Sequence, residues 1–125
     1  MQKIIGVGCD LVDINRIKKA IEAHPEDFIK KIFTKEEIQY CLSYKEPYAH
    51  YAARFAAKEA VAKALGVGLG KMIGWQNIQI LSSLEKKPSV QLLVDPSHPF
   101  YNVQFELSLS HEKEFALAFV IALNA

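Results

Sequence analysis

Val103-Gln104-Phe105-Glu106-Leu107-Ser108-Leu109-Ser110 alternates apolar and polar residues without a break. That is the period of a strand with one face on a core. His111-Glu112-Lys113-Glu114 follows, then a second apolar run, Phe115 to Leu123. Two such runs separated by a short polar turn predict a β-hairpin. Working back, Val90 to Val94 and Trp75 to Leu81 read as further strands, and Ile4 to Val12 as a buried one. Between the first strand and the others lie helical patterns. Asp13 is placed to cap a helix starting near Ile14, with Ile17 and Ile21 on one face, and His24-Pro25 stops it because the residue before proline avoids the helical region. A short helix from Pro25 to Phe33 follows. Thr34 and Glu37 form a capping-box pattern with Glu36 in the first turn, opening a helix to about Ser43. Pro47 suits the first turn of a helix that runs to about Leu65 and stops at Gly66. Alanine-rich and apolar around most of its circumference, that helix is predicted to be buried. Gly66, Gly68, Gly70 and Gly74 mark a loop. Strand, helices, then strands indicate an α+β fold, with helices packed on an antiparallel sheet.

The 125 residues fit a single domain, and 50% of them are hydrophobic, enough for a core. With 15 basic and 14 acidic side chains the net charge is +1, which argues against a duplex nucleic acid as partner. Cys9 and Cys41 both sit in apolar settings and read as reduced, buried thiols. The early apolar run is interrupted by Gly6, Gly8 and Asp10, so it is not a signal segment, and no stretch is long enough to span a bilayer. A cytoplasmic protein without membrane insertion is the expectation.

Several polar residues stand out against this frame. In a strand, Asp10 shares its face with Gly8 and Gly6, while Ile5, Val7, Cys9 and Leu11 form the other, expected to be core. The carboxylate thus ends a face cleared of side chains, as happens where a ligand or another backbone approaches, or else it caps a turn. Glu59 has Tyr48, Ala52, Phe55, Ala56, Ala62 and Lys63 as neighbours on a helical wheel. A carboxylate in such surroundings calls for a cation, either Lys63 four residues on or a metal ion. Asp10 and Glu59 together are a pair of oxygen ligands of the kind Mg²⁺ takes alongside water and substrate phosphate, with Lys63 one helical turn away to neutralise a phosphate. Ser108, Ser110 and His111 end a strand with hydroxyls and an imidazole, which suits an anion or a solvent-facing turn; no third orienting carboxylate supports a hydrolase triad. Arg54 and Lys58 lie in the apolar helix and need partners or a ligand. Arg16, Lys18, Lys19, Lys30, Lys31 and Lys35 crowd the first third of the chain, as a solvated face or as a dock for an acidic partner.

Four segments, in order, resemble the bacterial holo-acyl-carrier-protein synthases of the 4′-phosphopantetheinyl transferase family. They are Gly6-Val7-Gly8-Cys9-Asp10-Leu11-Val12 with Arg16-Ile17; Phe33-Thr34-Lys35-Glu36-Glu37; Arg54-Phe55-Ala56-Ala57-Lys58-Glu59-Ala60 with Lys63-Ala64-Leu65-Gly66; and Ser108-Leu109-Ser110-His111. The resemblance covers nearly the whole chain. It implies an enzyme that moves the phosphopantetheine arm of coenzyme A to a serine of apo acyl carrier protein, releasing adenosine 3′,5′-bisphosphate. It further implies Mg²⁺ on Asp10 and Glu59, coenzyme A phosphates at Lys63, and a coenzyme A contact at Arg54. Ser110 and His111 are expected at the 3′-phosphate, Arg16 on the helix that docks the carrier protein, and a homotrimer with active sites between subunits. The serine proton is left to Glu59, Asp10 or a metal-bound water.

This chain departs from the family pattern in places. Gly66-Val67-Gly68 stands for Gly-Thr-Gly, Asn77 and Gln79 for acidic residues, Lys86-Lys87-Pro88 for a Gly-Lys-Pro turn, and Asp95 to Tyr101 carries two prolines where relatives place a short helix. The rival readings are another nucleotide-dependent transferase on the same scaffold and a non-enzymatic α+β binding module for RNA; the balanced charge disfavours the second.

Overall fold

A computed structural model describes residues 2–82 and 87–124. The first strand, β1 (Ile4–Asp13), leads into four helices: α1 (Ile14–Ala23), α2 (Pro25–Ile32), α3 (Lys35–Leu42) and α4 (Tyr48–Leu65). A 3-10 turn at Trp75–Asn77 precedes β2 (Ile78–Ser82), β3 (Pro88–Leu92), β4 (Gln104–His111) and β5 (Phe115–Leu123). The strands form two antiparallel sheets, β1-β5-β4 and the hairpin β2-β3, where one was expected. The predicted strand from Trp75 starts later, because Asn77 Oδ1 accepts the backbone N–H of Gly74 at 2.8 Å and curls the entry into a turn. Lys86 of the expected Lys86-Lys87-Pro88 turn lies outside the described residues.

The helix ends follow their caps. Asp13 Oδ1 accepts from the backbone N–H groups of Asn15 and Arg16. Thr34 and Glu37 close a full capping box, with Glu37 Oε1 taking the Thr34 N–H at 2.7 Å. α4 stops at Gly66, whose left-handed φ of 74° a glycine adopts without strain.

α4 is the core element and lies on β1 and β5. Its Ala56, Ala57, Ala60 and Ala64 meet Ala116, Ala118, Val120 and Ala122 in one buried cluster. A β-carbon at Gly8 would collide with the carbonyl oxygen of Ala60, and one at Gly6 with that of Ala64. The glycines therefore admit the helix backbone, not a ligand. This reverses the faces expected from sequence. The glycine face is the buried one; Val7, Cys9 and Leu11 lie exposed on the other side, beside Leu117 and Phe119 of β5. Cys41 is buried as expected, and desolvation pushes its thiol up to about 12.

A wholly buried ion pair ties the small elements to α4. Lys58 Nζ lies 2.7 Å from Glu37 Oε1 and donates to the carbonyls of Ile32 (2.7 Å) and Trp75 (2.9 Å). Glu37 Oε2 accepts the N–H of Ile80 at 2.7 Å. One lysine and one glutamate thus join the end of α2, the cap of α3, α4, the 3-10 turn and β2. Each polar atom of the pair has a partner, as burial of charge requires.

Candidate active site

Close packing of α4 on β1 sets Asp10 beside the last turns of the helix. Lys63 Nζ reaches across, 3.1 Å from Asp10 Oδ1 and 2.9 Å from the carbonyl oxygen of Cys9. Lys63 therefore pairs with the strand carboxylate rather than with Glu59 on its own helix, the alternative its spacing allowed. Glu59 is half-buried, and its carboxyl is held above the usual range, first by burial and then by the negative charge of Asp10, with Lys63 acting against both. The Lys63 ammonium thus lies near two acidic groups. Oxygen-only donors crowded at a half-open edge match a hard divalent cation that keeps water and substrate phosphate in its shell. Asp10, Glu59 and Lys63, singled out in the sequence, are thus one cluster in the fold.

Arg54 and His111 form a second group. They line a pocket of about 190 Å³ with Tyr40, His50, Ser82 and Pro88. Arg54 is 2% exposed; its guanidinium donates to Ser82 Oγ at 2.6 Å and lies over the Tyr40 ring at 3.9 Å. His50 and His111 also border an open groove of about 720 Å³ between α1, α4 and the β4–β5 turn. Ser110 stands apart: successive strand residues face opposite ways, and its side chain shares the outer sheet face with Leu117 and Leu11. Arg16 is exposed on α1. His50 escaped the sequence reading, although its place one turn before Arg54 on a helix was a usable sign.

The architecture matches that of solved structures. A holo-(acyl-carrier-protein) synthase from Bacillus anthracis, in complex with CoA (3′,5′-ADP), superposes with a TM-score of 0.84 at 32% identity, covering 98% of each chain. A Helicobacter pylori holo-[acyl-carrier-protein] synthase in complex with coenzyme A gives 0.83 at 32% identity, over 93% of this chain and 98% of that one. The family model of the 4′-phosphopantetheinyl transferase superfamily matches residues 6–120. The chain belongs to that superfamily. A holo-[acyl-carrier-protein] synthase of Chlamydia felis is 49% identical over 120 residues, 94% of this chain and 95% of that protein. As a phosphopantetheinyl transferase the protein is an enzyme, as the motifs implied, and its α+β fold is that of the family. Among the described residues no helix is long and apolar enough to cross a membrane.

Lys63→Met tests the charge at the first cluster. Methionine keeps the apolar stem and removes the ammonium from a half-exposed position, so the fold should persist while transfer falls by ~10²-fold, the scale of one lost transition-state donor. Steady-state kinetics with unchanged turnover and coenzyme A affinity would remove Lys63 from the site.

Proposed function

We propose that Asp10, Glu59 and Lys63 are the reacting centre of a holo-acyl-carrier-protein synthase acting in the cytoplasm. The supporting observation is the convergence of two carboxylates and an ammonium from β1 and α4, with Lys63 3.1 Å from Asp10. The substrates are coenzyme A and apo acyl carrier protein. The carrier serine gives up its proton to Glu59, Asp10 or water as its oxygen bonds to the β-phosphorus of coenzyme A; the pyrophosphate P–O bond to the nucleotide breaks, and adenosine 3′,5′-bisphosphate leaves. Asp10 and Glu59 would hold Mg²⁺, which when bound supplies positive charge at the phosphates. Lys63 neutralises and orients the pyrophosphate; Arg54 and His111 hold the nucleotide by its 3′-phosphate. Mixing the enzyme with coenzyme A, apo carrier and Mg²⁺ should release adenosine 3′,5′-bisphosphate in step with holo carrier, and chelation should stop both. Bisphosphate release without carrier modification would favour another nucleotide-dependent transferase.

The carrier docks at α1. Arg16 is exposed there, with Lys19 beside it on an outward face. Arg16→Glu should slow carrier association about tenfold at low salt while leaving coenzyme A affinity alone, and the difference should shrink as salt is added. A salt-independent loss would point away from this surface.

The enzyme assembles as a homotrimer with sites between subunits. What supports this is the outer sheet face: Leu11 is 63% exposed, Val7 56% and Phe119 43%, a contiguous apolar surface on a sheet that would otherwise be covered on one side only. Asp10 sits on β1, an edge strand of that sheet, whereas His111 is on β4, with β5 between them. A ligand held by His111 of one subunit then reaches Asp10 and Glu59 of its neighbour. Light scattering should give three times the chain mass. Co-expressed Glu59→Ala and His111→Ala chains, each inactive alone, should recover part of the activity. Mixed trimers that stay inactive would place the whole site within one chain.

A further inference from the structure

His50 belongs to none of the motifs singled out above, yet it lines both the pocket and the groove. Its ring stacks on Tyr44, centroids 3.6 Å and planes 20° apart, and meets His111 edge-on at 5.7 Å. The Tyr44 hydroxyl is in turn held 3.0 Å from that of Tyr40, under the Arg54 guanidinium. The stack fixes the plane of the imidazole. It leaves the ring nitrogens free: among the described residues the hydrogen bonds made by imidazoles are those of His98. Behind His50, the buried Nε of Arg54 has no acceptor in the protein. An unsatisfied guanidinium nitrogen nine-tenths buried is costly unless something accepts from it. Arg54 lines the same pocket as the two imidazoles.

We propose that His50 is a specificity-determining contact for the substrate nucleotide, completing with Arg54 and His111 a subsite for a phosphate monoester, the 3′-phosphate of coenzyme A. The inference rests on the transferase reading above. A phosphate offers three acceptor oxygens, matching one guanidinium and two imidazoles that converge from α4 and β4. The adjoining groove, bordered by the same two histidines, takes the remainder of the nucleotide. Ser110, on the other sheet face, is replaced in this role by His50.

The test is the preference for coenzyme A over 3′-dephospho-coenzyme A, read as the ratio of their kcat/KM values. Phenylalanine preserves the ring stacked on Tyr44 and removes both nitrogens. His50→Phe should lower the ratio by ~10-fold, the worth of one hydrogen bond to a charged group, with thermal unfolding unchanged. His50→Gln, which keeps a donor, should fall between it and the parent. An unchanged ratio in His50→Phe would reduce His50 to a packing residue, as would equal losses on both substrates. If the parent enzyme modifies carrier protein but uses both forms of coenzyme A equally, the subsite is not one for phosphate, while the transferase reading stands. If it modifies carrier protein with neither, that reading itself fails.

Discussion

Asp10→Ala and Glu59→Ala should each lower phosphopantetheine transfer by ~10³-fold or more while leaving the protein folded. The size follows from the several kcal/mol that a divalent cation contributes where charge develops on phosphate oxygens, about a tenfold change in rate for each 1.4 kcal/mol. Folding should survive because neither carboxylate holds the core together. Asp10 keeps a partly exposed side chain, and its protein partner Lys63 is more than half exposed. Burial and Asp10 both disfavour the ionised form of Glu59, so its removal relieves repulsion rather than breaking a needed contact. The two variants should also lose the response of the rate to added Mg²⁺. Near-parental turnover at limiting Mg²⁺ in either one would end the shared metal site. Loss of the folded state in Glu59→Ala would make that residue structural instead.

Lys58→Met should be the contrary case, a collapse of stability next door to the site. It leaves the Glu37 carboxylate fully buried with no countercharge, and it strips donors from the carbonyls of Ile32 and Trp75. Breaking such a pair from one side costs about 3–5 kcal/mol. For a domain of this size the midpoint of thermal unfolding should fall by about 10 °C or more. Adding Glu37→Leu should restore part of that loss, since the stranded charge is then gone; the Thr34 and Ile80 N–H groups that Glu37 accepts from keep the recovery incomplete. A shift below about 2 °C for Lys58→Met, the scale of a surface substitution, would mean that the pair is not structural. Lys58 and Glu59 are neighbours in the chain, yet one lies inside the fold and the other on the reacting edge.

Much of this was legible in the sequence, for identifiable reasons. Caps and breakers act over three or four residues, so Asp13, Thr34 with Glu37, and Gly66 marked their helix ends where they occur. The strict alternation in Val103 to Ser110 marked the closing hairpin. Asp10, Glu59 and Lys63 stood out because charge is rare among glycines and alanines. What stayed hidden depends on contacts distant in sequence. The periodicity of β1 separates two faces but does not say which one α4 covers, and the apolar face proved to be the open one. Glu37 looked like a cap and nothing more, since its second oxygen finds Ile80 from a different element. His50 joined a pocket only once α3, α4 and β4 had come together. Ser110 and His111 adjoin in the chain, and the pleat sends them to opposite sides.

The proposed centre of Asp10, Glu59 and Lys63 carries phosphopantetheine from coenzyme A to a carrier-protein serine. Intact mass spectrometry of apo acyl carrier protein, incubated with the enzyme, coenzyme A and Mg²⁺, tests it most directly. A mass gain of one phosphopantetheine group is expected, located on a single serine and absent when Asp10→Ala replaces the parent enzyme. A carrier protein unchanged in mass, or one modified equally well by Asp10→Ala, would contradict it.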